Sequence, residues 1–206
     1  MVEAVLHGAI LALGLILPLG AQNVFVFNQG ALQPKLLRAL PVVVTAGICD
    51  TILIVAAVSG VSLLILTFHW LETIMFAVGI LFLLYIGISL WRSAPASMET
   101  EAERFSPKKQ ILFAASVSLL NPHAIIDTIG VIGSSALSYS GEARFAFTLT
   151  TIIISWCWFF GLAVAGRLLG KMDTSGKFIG MLNKVSAVVV WGVAIYMAIR
   201  LFGKFF

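Results

Sequence analysis

Two aspartates lie inside long apolar runs of this sequence, where an acidic side chain has to serve some purpose. Asp50 falls within LPVVVTAGICDTILIVAAV and Asp127 within NPHAIIDTIGVIG, and each is followed by threonine. In a membrane helix an aspartate costs about 2.5–3.5 kcal/mol to insert at the centre, so it is kept facing a partner or a water-filled cavity. Two interpretations stay open: each aspartate only joins helices, or each forms a cation or proton site. The pair favours the second.

Two prolines interrupt the apolar runs and are surrounded by polar residues. Pro18 and Gly20 precede Gln22 and Asn23 in LPLGAQN, while NPHAIID carries the second proline. Since proline removes a helical hydrogen bond, each run is predicted to consist of two half-helices. The freed N–H groups and the positive end of a half-helix attract a carboxylate, and nearby aspartates attract an ammonium or guanidinium group. These groups together fit a zwitterion with an additional positive charge.

The candidate substrate-binding residues are the polar groups and helix breakers of these runs. Asp50 and Asp127 are also candidates for proton coupling. Two roles stay open for His123, which either relays protons with Asp127 at i+4 or caps the broken helix. The full set is Pro18, Gly20, Gln22, Asn23, Asn28, Asp50, Asn121, Pro122, His123 and Asp127.

The two cysteines argue against metal and disulfide chemistry. Cys49 and Cys157 both lie in apolar runs, without a C-x-x-C motif or a cluster of Cys and His ligands. We therefore expect no metal, no cofactor and no enzymatic reaction. A redox or scaffold role is the alternative in a different class, and replacing both cysteines with serine would separate it from transport.

The composition predicts an all-α integral membrane protein with a single transmembrane domain over residues 1–206. Hydrophobic residues make up 60% of the 206 and charged residues 11%, whereas a soluble domain carries about 25% charged residues. The net charge of +4 comes from basic residues scattered between the apolar runs. Such scattering indicates orientation in a lipid bilayer rather than binding to nucleic acid.

Six apolar runs are long enough to cross a membrane, which takes about 20 residues. The connections over 92–109 and 167–184 are polar, and the second contains at most a short surface helix. Ten of the 13 lysines and arginines fall in the first, third and fifth connections, which predicts that these face the cytoplasm and both termini face outside. A five-span arrangement with a re-entrant run would move one terminus inside, but the charge bias favours six. The predicted spans are about 4–31, 40–66, 72–91, 110–137, 145–166 and 185–203.

The six spans divide into two similar halves, about 1–100 and 101–206. Aligning Pro18 with Pro122 sets PLGAQNVFVFNQG against PHAIIDTIGVIGS. With three spans per half, the second half enters the membrane from the opposite side, which predicts a 3+3 inverted repeat with broken first and fourth helices. The small-residue patterns AAVSG (56–60) and GLAVAG (161–166) permit close helix packing, either within the chain or in a homodimer.

Several of these motifs resemble those of a known family. ILPLGAQNVFVFNQG (16–30), LYIG (84–87), LLNPHAIIDTIGVIGS (119–134) and WFFGLA (158–163) are similar to the LysE family of basic amino-acid exporters, in its lysine and arginine branch. The resemblance implies export of L-arginine or L-lysine from the cytosol across the bacterial plasma membrane, driven by the proton-motive force. It also implies functional roles for Asp50, Asp127, Gln22 and Asn23. The alternatives are export of another amino acid, of the homoserine or threonine type, or efflux of a metal cation, which the shortage of His and Cys ligands disfavours.

Overall fold

A computed structural model describes residues 1–17, 20–60, 69–92, 105–119, 125, 128–172 and 177–202. Every element in these ranges is helical. The helices are α1 (Val2–Ile16), α2 (Ala21–Leu32), α3 (Leu40–Val58), α4 (His69–Arg92), α5 (Pro107–Leu119), α6 (Ser134–Ala136), α7 (Gly141–Met172) and α8 (Lys177–Phe202). A 3-10 turn over Leu36–Ala39 leads into α3, and a π-helix over Thr128–Gly133 leads into α6.

The first predicted span is interrupted where the sequence places its proline. Helix α1 ends at Ile16, α2 begins at Ala21, and the two are bent by 80° at the break. By length and apolar composition, Leu36–Val58 and Gly141–Met172 suffice to cross a membrane, and within the described residues the bent pair makes a third if its two helices form one span rather than a re-entrant loop. The all-helical membrane class is thus confirmed for the described residues, while the six-span count stays a prediction.

The helices depart from the predicted spans at two places. The second span was predicted to reach residue 66, whereas α3 ends at Val58 and Gly60 follows with φ +76°; residues 61–66 of that span lie outside the described residues. Only glycine adopts this left-handed backbone readily, and such a residue commonly terminates a helix. The polar stretch 167–184 was expected to connect two spans, but α7 continues to Met172 and α8 begins at Lys177. Charged residues such as Arg167 and Lys171 are good helix formers, so polarity alone does not end a helix.

Helix α7 lies at the centre of the described bundle and packs against α1, α2 and α3. The approach of α2 is very close: a Cβ on Gly30 would overlap the carbonyl oxygen of Ala163, and one on Gly166 would overlap that of Phe27. Small residues allow such backbone approach in membrane proteins, where van der Waals packing drives association. The GLAVAG pattern therefore serves contacts within the chain.

The helices around α7 run in defined directions. Gly8 of α1 lies against Phe147 near the start of α7, and Ala31 of α2 lies against Gly170 near its end. From its start to its end, the broken pair α1–α2 thus follows α7 in the same chain direction, although the two helices are bent relative to each other. Helix α3 runs the opposite way, because Arg144 at the start of α7 donates a hydrogen bond to the carbonyl of Val58 at the end of α3.

A buried polar network joins the segments at one end of the bundle. Gln33 Nε2 donates to Gln29 Oε1 (3.2 Å) and to the carbonyl of Phe105 (3.0 Å), while Gln110 Nε2 donates to the carbonyl of Arg38 (2.9 Å). Arg167 donates to the carbonyl of Gln33 (2.8 Å). The first connection, the start of α5 and the end of α7 therefore share one end. Their basic residues are among those predicted to face the cytoplasm.

Candidate functional site

The N-terminus of α2 presents backbone donors at the break in the first span. Gly20 is extended (φ −78°, ψ 173°), and no side chain of the described residues caps the helix that starts at Ala21. The first backbone N–H groups of a helix have no intrahelical acceptor, and they carry part of the positive charge of the helix dipole. This end of α2 therefore suits a carboxylate. Pro18, which predicted the break, lies outside the described residues.

The two amides predicted beside the break behave differently. Asn23 is 5% exposed and donates from Nδ2 to the carbonyl of Ile16 at the end of α1 (2.6 Å). It therefore satisfies one of the backbone acceptors that the break exposes. The Nε2 atom of Gln22 is buried, and it has no hydrogen-bond partner among the described residues. Gln22, two residues after Gly20, is thus a candidate donor for a ligand at the break.

The predicted site residue Asn28 lies further along α2. It is 3% exposed, and its neighbour Gln29 belongs to the buried network at the end of the bundle. The structure therefore places Asn28 inside the helix packing, between the break and that network. Burial agrees with a role inside the protein, but this position separates Asn28 from Gln22 by more than one helical turn.

Asp50 lies in the middle of α3, and its carboxylate faces α7. Ser155 Oγ of α7 donates a hydrogen bond to Asp50 Oδ2. Ser155 is itself 3% exposed, whereas Asp50 is only half-buried. A hydrogen bond to a charged acceptor is stronger than one between neutral groups. Asp50 is thus held on one oxygen by a buried hydroxyl, and its carboxylate is not fully enclosed.

A second cross-helix bond lies beside the first. Trp156 Nε1 donates to Thr51 Oγ1 (3.0 Å), and Thr51 Oγ1 donates to the carbonyl of Gly47 (2.7 Å). Neither Ser155 nor Trp156 is among the site residues predicted from the sequence. The only available signal was a small polar residue, Ser155, next to tryptophan within the apolar run IIISWCWFF.

The second half of the predicted site lies outside the described residues. This holds for Asn121, Pro122, His123 and Asp127. The described neighbours in sequence, Ile125 and Ile129, form a buried cluster with Ala57 of α3, packed against Leu53. A π-helix begins at Thr128, and such segments occur frequently at functional sites. This part of the chain therefore packs on the same helix that carries Asp50.

The described part of the chain offers no ligand set for a metal ion. It contains no group of three or more His, Cys, Asp or Glu side chains placed to hold one. Both cysteines are free, Cys49 buried and Cys157 exposed. The described polar groups are instead a helix N-terminus, amides, hydroxyls and a carboxylate, which bind organic ions through hydrogen bonds.

Comparison with known proteins decides the family. Residues 13–201 match the family model described as LysE type translocator. The chain belongs to the LysE family. It is therefore a multi-pass membrane transport protein and not an enzyme, and the resemblance of its motifs is confirmed.

The relatives of this LysE-family chain cover nearly its whole length. It is 54% identical over 200 residues to the putative amino-acid transporter YisU of Bacillus subtilis (strain 168), covering 97% of this chain and 91% of the relative. It is 33% identical to the arginine exporter protein ArgO of Escherichia coli (strain K12), covering 93% and 92%. The ArgO protein of Pectobacterium carotovorum is also 33% identical, over 96% and 98%. No solved structure matches the chain.

Proposed function

We propose that this protein exports a basic amino acid, L-arginine or L-lysine, from the bacterial cytosol in exchange for protons, by alternating access. The observation that carries the proposal is Asp50, an acid in the middle of a membrane helix, held by a buried hydroxyl on α7. An ionisable residue in such a position marks a substrate or ion pathway. The relatives named as arginine exporters support the choice of substrate.

The two ends of the substrate are assigned to different elements. The carboxylate binds at the start of α2, where backbone N–H groups and Gln22 Nε2 are available as donors. The cationic end binds Asp50, with Asp127 as the second acid from the other half of the chain. Both α2 and α3 pack on α7, so a movement of α7 would change both ends of the site together.

The inverted repeat is part of this proposal. Helices α3 and α7 are the second spans of the two predicted halves, and they pack against each other in opposite directions. A pseudo-two-fold axis in the membrane plane relates equivalent helices in this way, and transporters with such repeats carry their sites at the repeat interface. The Asp50–Ser155 hydrogen bond lies at this α3–α7 interface. Both termini are proposed to face outside, because the basic connections gather at the other end.

Reconstituted vesicles test the proposal directly. Vesicles loaded with radiolabelled arginine are given an imposed pH gradient, and efflux is compared between wild type, Asp50→Asn and Asp127→Asn. Each substitution removes the charge but keeps the shape, so arginine efflux is expected to fall at least about tenfold, the effect of about 1.4 kcal/mol. The matched control is Glu142→Gln, an exposed acid in the first turn of α7, which should leave efflux unchanged.

The same assay separates the alternatives. Unlabelled lysine, homoserine or threonine is placed on the same side of the vesicle membrane as the labelled arginine. How strongly each one reduces arginine efflux measures the substrate class. If homoserine or threonine competes better than arginine and lysine, the exporter is not specific for basic amino acids. If both aspartate variants retain wild-type flux, the assigned roles of Asp50 and Asp127 are wrong.

A further inference from the structure

The interface between α3 and α7 contains a tryptophan whose position is defined from both sides. The indole of Trp156 lies directly on Gly47 of α3: a Cβ added there would be 2.6 Å from Cε2 and 2.7 Å from Cδ2. Such distances are far shorter than van der Waals contact, so only glycine fits beneath the ring. Gly47 is therefore a notch in α3 that accepts the indole.

The rotation of the ring is defined by a hydrogen bond. Trp156 Nε1 donates to Thr51 Oγ1 at 3.0 Å. Rotation of the Thr51 side chain is itself restricted, because its hydroxyl donates a hydrogen bond to the carbonyl of Gly47 at 2.7 Å. Gly47 and Thr51 are one helical turn apart, at i and i+4, and thus lie on the same face of α3. The indole is held at its face by the notch and at its N–H by the hydroxyl.

This arrangement adjoins the candidate cation site on both helices. Thr51 follows Asp50 on α3, and Trp156 follows Ser155 on α7. The two cross-helix hydrogen bonds, Ser155 to Asp50 and Trp156 to Thr51, therefore lie side by side. A shift of α7 along α3 large enough to break one of them would move the other pair as well.

We propose that Trp156 is a positioning residue for substrate binding: seated on Gly47 and bonded to Thr51, it holds Ser155 against Asp50 and so fixes the carboxylate that receives the cation. The proposal rests on the proposed function of Asp50. Trp156 itself need not touch the substrate. Its effect is transmitted through α7, because Ser155 reaches Asp50 only in the register that the tryptophan sets.

A role in packing alone makes a different prediction. If Trp156 only fills space, removing its N–H while keeping a ring over Gly47 should alter neither stability nor transport by much. If it positions Ser155, the same change should weaken substrate binding even in a well-folded protein. The variants Trp156→Phe and Thr51→Val each remove this hydrogen bond from one side, and Thr51→Ser retains the hydroxyl.

The test is the concentration dependence of arginine transport in reconstituted vesicles. Trp156→Phe and Thr51→Val are expected to raise the half-saturating arginine concentration about fivefold to tenfold, the effect of losing one hydrogen bond, with maximal rates within about twofold of wild type. Thr51→Ser is expected to match wild type. The double variant should be no worse than either single one, because both remove the same bond. Ser155→Ala should reproduce the rise.

Other outcomes overturn the proposal. Unchanged half-saturation in Trp156→Phe, or fully additive effects in the double variant, means that the indole does not position Ser155 through Thr51. A fall in maximal rate alone, with unchanged half-saturation, also contradicts it. The melting temperature of each purified variant is measured alongside transport. If Trp156→Phe melts well below wild type, the comparison uses Thr51→Val on α3 instead, and if Thr51→Val does so, it uses Trp156→Phe on α7.

Asp50→Asn in the same preparation separates this proposal from the proposed function. If Asp50→Asn transports arginine like wild type, the function assigned to the site is wrong, and the positioning role fails with it. If Asp50→Asn is inactive while Trp156→Phe keeps a wild-type half-saturation, only the positioning role is overturned.

Discussion

The side chain of Gln22 is assigned to recognition of the carboxylate end of the substrate. Its Nε2 atom is buried and has no hydrogen-bond partner within the described residues, and a buried donor without an acceptor costs about 1–3 kcal/mol. A carboxylate bound at the start of α2 would accept from this donor and from the backbone N–H groups beside it. Binding of such a ligand would remove this free-energy cost, because the buried donor would then have an acceptor.

We predict that Gln22→Leu weakens binding of arginine but not of agmatine, which lacks the carboxylate. The half-saturating arginine concentration should rise about tenfold, since a hydrogen bond to a charged group contributes about 1.5–3 kcal/mol. Competition of each compound against labelled arginine efflux measures both affinities in one protein, so agmatine is the internal control. Equal weakening of both compounds would show that Gln22 does not bind the carboxylate.

At the scale of helices, the contact between α2 and α7 depends on glycine. A Cβ on Gly166 would overlap the carbonyl oxygen of Phe27, whereas one on Gly161 meets nothing within 4 Å. The two glycines lie in the same helix and the same GLAVAG motif, so they form a matched pair. Of the two, only Gly166 lies where α2 of the broken span approaches α7 closely.

Gly166→Ala is therefore expected to destabilise the protein, and Gly161→Ala is not. Overpacking costs about 1–3 kcal/mol, and each kcal/mol lowers the melting temperature of a chain of this size by about 2–4 °C. Alanine at 161 should keep or raise the melting temperature, because glycine is the poorer helix former. Thermal unfolding of both variants in detergent measures the difference, and equal melting temperatures would contradict the packing shown for α2.

The elements differ in how well the sequence predicts them. The break between α1 and α2 was predictable, because proline and glycine interrupt an apolar run in a way that depends only on local chemistry. Asp50 stood out for a similar reason, as an acid among apolar residues. Ser155 and Trp156 did not, because their partners on α3 lie 105 residues away and are chosen by tertiary packing. The extension of α7 to Met172 was missed because helical structure continues beyond the apolar window.

At the scale of the whole molecule, the polar contacts divide the bundle into two ends. Arg167 holds the first connection at one end through the carbonyls of Gln33 and Pro34. At the other end, His7 Nδ1 lies 2.9 Å from the hydroxyl of Tyr139. Because lysines and arginines are retained on the cytoplasmic side, the end with Arg167 is expected to be the cytoplasmic one, and that with His7 the external one.

Two serines allow this orientation to be tested with matched substitutions. Ser106 precedes α5 at the end with Arg167, Ser140 precedes α7 at the end with His7, and both are exposed. In intact cells, a membrane-impermeant maleimide should label Ser140→Cys, and it should label Ser106→Cys only after the cells are opened. The parent chain, whose Cys49 is buried and whose Cys157 lies in an apolar run, is the control for background labelling. The opposite pattern would place the basic connections outside and reverse the proposed direction of every span, because one charge asymmetry orients the whole bundle.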